Sequence, residues 1–99
     1  MYSNVSTTYT IPASGTINLD FYIALSGGAS YTVTMPAVSI HQVIHIRNQN
    51  SGSVNITAPL VGTKFYPNKT GGGISTTTYV MPANTVQNFY CDGVDWQGF

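Results

Sequence analysis

The strongest constraint on this chain is an internal repeat. Thr8-Tyr9-Thr10-Ile11-Pro12-Ala13 returns as Thr32-Val33-Thr34-Met35-Pro36-Ala37 and again as Thr78-Tyr79-Val80-Met81-Pro82-Ala83, with starts 24 and then 46 residues apart. The second interval is about two lengths of 23, so a degenerate copy is expected midway. Val54-Asn55-Ile56-Thr57-Ala58-Pro59 fills that place with its Ala and Pro exchanged. Internal similarity of this kind bears on the whole fold, because the same local unit is used several times. Each copy reads as a strand stopped by proline, which has no N–H to give to a ladder, followed by a turn and a second strand.

The second strands alternate with period two. Ile17, Leu19, Phe21 and Ile23 alternate with Thr16, Asn18, Asp20 and Tyr22, and Ile40, Ile44 and Ile46 fall opposite His41, Val43, His45 and Arg47. Successive strand side chains point to opposite faces, so each strand has one apolar face and its register is specified. Turn signals lie at Gly27-Gly28, Asn50 to Ser53 and Gly71 to Gly73, and the stretch from Gly62 to Gly73 reads as one long loop. Good helix formers and i, i+4 charge pairs are lacking, so no long helix is predicted. The expected fold is all-β: a single domain over residues 1–99, a small antiparallel sandwich or jelly-roll-like arrangement of about eight short strands built from strand-turn-strand repeats.

Charge narrows the function classes. Only 6% of the 99 residues are charged, three Lys plus Arg against three Asp and no Glu, with zero net charge. Three scattered cations are too few to release counterions from a phosphate backbone, so nucleic acid is not an expected partner. No run approaches the roughly 20 apolar residues of a membrane helix, and the start Met1-Tyr2-Ser3-Asn4 has neither the basic nor the apolar part of a signal peptide. Membrane insertion is therefore not expected.

No catalytic constellation stands out. A carboxylate pair would have to come from Asp20 with Asp92 or Asp95, and no Gly-x-Ser-x-Gly elbow is present. Cys91 cannot form an internal disulfide, and its neighbour Asp92 disfavours a thiolate, so it reads as a buried apolar residue. His41 and His45 share a strand face roughly 13 Å apart, too far to hold one metal within a chain. In a trimer either could form an axial ring with its symmetry mates, though ordinary polar-face histidines are the simpler reading. No enzyme activity, cofactor or metal is expected. Asn-x-Ser/Thr triplets begin at Asn4, Asn55 and Asn68 and, in so Thr-rich a chain, need no glycan to explain them.

The residues from Tyr31 to Trp96, about two thirds of the chain, carry a resemblance. A Thr-rich strand ends in Met35-Pro36-Ala37; Val43-Ile44-His45-Ile46-Arg47-Asn48 and Ser51-Gly52-Ser53-Val54-Asn55-Ile56 follow; Phe89-Tyr90-Cys91-Asp92-Gly93-Val94-Asp95-Trp96 closes the stretch. This resembles the modules at the ends of phage tail fibres and of viral capsid fibres or spikes, in which such strands precede a terminal Asp-Gly-x-x-Trp. Cys91, where a small or aliphatic residue is usual, and the long loop depart from that pattern. The resemblance implies a homotrimeric, non-enzymatic structural and adhesive domain on the virion surface that attaches to a host-surface glycan or protein or contacts other virion proteins. Tyr66, Asn68, Lys69 and Trp96 are the candidate surface contacts. Two other readings fit the same residues: a monomeric carbohydrate-binding module with an aromatic platform built from Tyr66, Trp96 or Tyr90, and a capsid decoration or cement protein without a receptor.

Overall fold

The repeat folds as a stack. A computed structural model describes residues 2–11, 20–37, 42–67 and 76–99, without the side chains of residues 2, 3, 20 and 21. In it the chain crosses between two sheets three times in the same sense. The first rung is β1 (Tyr2–Val5) and β2 (Tyr9–Thr10); the second is β3 (Asp20–Leu25) and β4 (Thr32–Thr34); the third is β5 (Val43–Asn48) and β6 (Val54–Thr57). Odd strands enter one sheet and even strands the other, so like strands run parallel: Tyr22 pairs with His45 and Val33 with Ile56, each 23 residues on. Across the first step the spacing is 20 in one sheet (Tyr2 with Tyr22) and 24 in the other (Tyr9 with Val33). The short first corner, Ser6 to Thr8, accounts for the difference.

This register corrects the sequence reading of the degenerate copy by one residue. Thr32 pairs with Asn55 and Thr34 with Thr57, so the copy starts at Asn55, not Val54, and Pro59 then falls level with Pro36 without any exchange. The third full copy behaves differently. Its strand β8 (Tyr79–Met81) pairs antiparallel with β6, Ile56 opposite Tyr79, so the same hexapeptide runs backwards. A period-two pattern presents the same faces in either direction, so the sequence repeat carries no information about strand sense.

The remaining strands complete the six-stranded sheet: β9 (Thr85–Cys91) lies antiparallel to β5, β10 (Trp96–Gly98) antiparallel to β9, and β7 (Phe65–Tyr66) parallel to β10. The strand orders are β1-β3-β5-β9-β10-β7 and β2-β4-β6-β8. The described residues thus form an all-β structure of two mixed sheets with ten strands and no helix. The antiparallel, jelly-roll-like arrangement expected from turn spacing does not describe these sheets. Stacking successive crossings in one sense makes the rung-to-rung pairings parallel, while the β5/β9, β9/β10 and β6/β8 pairings and an isolated Phe65–Thr76 bridge are antiparallel.

One core lies between the sheets. Ile23, Leu25, Ile44, Ile46, Phe65, Phe89, Cys91 and Trp96 from one sheet meet Val33, Val54, Ile56 and Met81 from the other, and Phe89 bridges the two rings Phe65 (5.5 Å) and Tyr79 (5.7 Å) edge-on. The predicted alternation on β5 is observed, with Ile44 and Ile46 inside and His45 and Arg47 outside.

Buried asparagines hold the corners where the chain turns from one sheet to the other. The Asn48 amide donates to the carbonyls of Gly52 (3.2 Å), Met81 (3.1 Å) and Pro82 (2.9 Å), while its Oδ1 accepts from Asn50 N–H (2.9 Å). The Asn50 amide donates to Ala29 O (2.9 Å), and its Oδ1 accepts from Gly28 N–H. Three successive corners are thereby tied together, which satisfies carbonyls that would otherwise be stranded inside. Tyr31 completes the first corner, its hydroxyl donating towards Val5 O (2.9 Å) and Ser26 O (2.8 Å); burial pushes its pKa up, against a lowering by the Ser26 hydrogen bond. Gly27, at φ 115°, lets the second corner pass against the main chain of Ser6, where a Cβ would lie 2.9 Å from Ser6 O.

Candidate functional site

The outward face of the six-stranded sheet gathers the exposed aromatics. The 23-residue register sets Tyr22 beside His45, and their rings stack with centroids 4.5 Å apart and planes within 10°. On the next strand Asn88 faces His45 and accepts from its Nδ1 at 2.8 Å. That orientation follows from the amide's other end, where Asn88 Nδ2 donates to Phe99 O (3.3 Å). Phe99 then meets His45 edge-on at 6.2 Å and Tyr90 at 6.0 Å. The result is a ridge, Tyr22–His45–Phe99–Tyr90, whose three benzene rings are each 40–57% exposed.

A half-open groove of about 340 Å³ lies beside this ridge. Tyr22, His45 and Asn88 form one cross-strand row of its lining, Arg47 and Val86 belong to another, and Gln49 also borders it. Ala24 sits beside Arg47 across the strands and is buried although it belongs to the outward face. Being small, it sets the depth of the groove between two larger residues. The volume is within the roughly 300–1,000 Å³ usual for small-molecule sites.

The Asp-Gly-x-x-Trp motif is the β9–β10 hairpin, and its chemistry is structural. Asp92 Oδ1 accepts from Val94 N–H (2.9 Å) and Asp95 N–H (2.8 Å), while Oδ2 accepts from the Gln97 amide (2.9 Å). These bonds favour the charged form, so the backbone N–H groups of Asp95 and Val94, and then Gln97, hold the carboxyl below its usual range. Asp95 Oδ1 accepts from Lys64 N–H (2.8 Å) and fastens the segment leading into β7. Cys91 is buried in the core, with Gly93 N–H directed at its Sγ (3.4 Å).

Of the sequence-predicted surface contacts, Tyr66 is half-buried on β7, next to Gln97 of β10. Trp96 is a correction: it is fully buried, since strand alternation directs it inward beside Cys91 and Phe65. Tyr90, named for a carbohydrate platform, does lie on the open face. Asn68 and Lys69 fall outside the described residues, as do His41 and the second half of the Gly62–Gly73 loop. Tyr22, Phe99, Arg47 and Ala24 were not singled out from the sequence, yet the signal was there. Adding the repeat period to Tyr22 lands on His45, and adding it to Ala24 lands on Arg47.

No known protein family, curated protein or solved structure matches this chain.

Proposed function

We propose that this chain is a non-enzymatic structural and adhesive domain of a viral fibre, spike or capsid appendage, exposed on the particle, acting as a homotrimer and attaching to a host surface through the outward face of its six-stranded sheet. The observation that carries this reading is the exposed aromatic ridge. Rings with apolar faces and polar tips left half in water on an open sheet are what a recognition surface needs. Stacked rungs also suit a fibre, because each rung contacts mainly its neighbours and the stack extends in one direction.

The acids support a non-catalytic role. The Asp92 carboxylate is committed to the hairpin backbone and that of Asp95 to Lys64 N–H, and the Asp92 carboxyl, held below its usual range, is a poor proton donor near neutral pH. Low charge lets subunits pack neutral faces without stranding ions.

The test is solution mass by light scattering over a range of concentrations, joined to adhesion of the labelled protein to candidate host cells. A persistent trimer that adheres, and loses adhesion on Tyr90→Ala, is the expected result. A stable monomer overturns the trimeric part and favours a second reading, a monomeric carbohydrate-binding module, which the ridge also supports because a single chain assembles it.

A further inference from the structure

The attachment reading leaves the ligand unnamed, and the groove beside the ridge narrows it. Resting on that reading, we propose that the groove takes a carboxylated saccharide, with Arg47 holding the carboxylate and the Tyr22–His45 stack packing against the sugar ring.

The argument starts from charge. Among the described residues lining the groove, Arg47 alone carries a fixed charge, while Asp92 is engaged in the hairpin and Asp95 with Lys64 N–H. In a chain with so few ions, one guanidinium at the edge of the groove defines the sign of the site. Its planar fork matches a carboxylate in a bidentate manner, and charge-assisted hydrogen bonds of this kind are roughly twice as strong as neutral ones. A single cation is far short of what a nucleic-acid backbone needs.

The walls argue for a sugar. One row of the lining holds the aromatic rings and another has Val86, so both can cover C–H groups, while the Gln49 amide at the border can serve hydroxyls. A purely apolar ligand would leave Arg47 desolvated without a partner, at a cost. The stack is fixed before binding, because Asn88 clamps the His45 ring and is itself clamped by the Phe99 carbonyl. A wall already in place loses little entropy when a ligand arrives. Ala24 makes the fit depend on size, since any longer side chain there would fill the space the sugar ring needs.

The test is a titration of the full-length chain, followed by its backbone amide resonances, with sialyllactose, trigalacturonate and neutral lactose. The expected result is saturable shifts at Tyr22, Ala24, Arg47 and Val86 with an acidic sugar, and at least tenfold weaker binding by lactose. Arg47→Gln should weaken the acidic sugars at least tenfold and leave lactose unchanged, and Ala24→Leu should abolish both, with the remaining spectrum intact in each variant. Equal binding of lactose, indifference to Arg47→Gln, or shifts confined to another face would overturn the assignment. A trimer that adheres to cells while the groove stays silent removes this inference and keeps the attachment reading. A monomer whose groove binds as described does the reverse.

Discussion

The close approach of the first two rungs can be tested with three glycines that differ in one respect each. Gly27 combines φ 115° with a clash, its virtual Cβ standing 2.9 Å from the Ser6 carbonyl oxygen and 3.1 Å from the Ser6 Cβ. Gly62 has φ 92° and nothing within 4 Å, and Gly52 lies outside the left-handed region with ordinary contacts of 3.5 Å or more. Holding an L-residue in a sparsely populated backbone region costs about 1–3 kcal/mol, and overpacking typically adds about 1–3 kcal/mol. Gly62→Ala should therefore cost about 1–3 kcal/mol, Gly27→Ala about 2–6 kcal/mol, and Gly52→Ala within about 1 kcal/mol of zero. Guanidinium unfolding of the three variants at matched protein concentration measures the series. For a domain of this size, each kcal/mol corresponds to roughly 4–8 °C in Tm, so the Gly27–Gly62 gap is easily resolved. If Gly27→Ala is no less stable than Gly62→Ala, the rungs do not pack as closely as described and the stacking argument fails.

Three further outcomes are expected. Asn48→Ala strands the buried carbonyl of Met81 and loses its bonds to Gly52 and Pro82, which should cost at least about 2 kcal/mol in chemical unfolding; a loss under 0.5 kcal/mol would deny the corner its role. Among the described residues, Gln42 has both amide atoms buried without a partner, so Gln42→Met should raise the unfolding free energy by about 1–3 kcal/mol, and a loss of stability would show that the amide is satisfied in solution. The Asp92 carboxyl is depressed when folded, so its contribution is present above the ordinary carboxylate range and fades as pH falls through the lower folded value. Thermal unfolding of Asp92→Asn between pH 2 and 7 should accordingly depend less on pH than the parent, and parallel profiles would contradict the assignment.

Much of the fold is legible because it rests on local rules. The alternation of Ile44 and Ile46 with His45 and Arg47 dictates which face of β5 is buried, and the prolines at 36 and 82 follow the strands they were expected to end. The site is less so. Trp96 is the largest aromatic near the end of the chain and looks like a binding platform, but its parity on β10 sends it into the core, while the smaller Tyr90 and Phe99 remain outside. Parity depends on where the hairpin begins, and that is fixed by Asp92 gripping the amides of Val94 and Asp95.

By itself, then, the sequence determined the composition of each strand's two faces, the roughly 23-residue period and the scarcity of charge. These follow from side-chain alternation and from counting charges, which need no knowledge of neighbours. Only the tertiary structure decided that three rungs stack parallel while the last copy of the repeat runs backwards, since a period-two pattern is blind to direction. It also decided that Tyr22, His45, Phe99 and Tyr90 form one ridge. Those four residues come from three strands and the chain end, far apart in sequence, and they meet because hydrogen-bonded registers between β3, β5 and β9 bring them to adjacent positions.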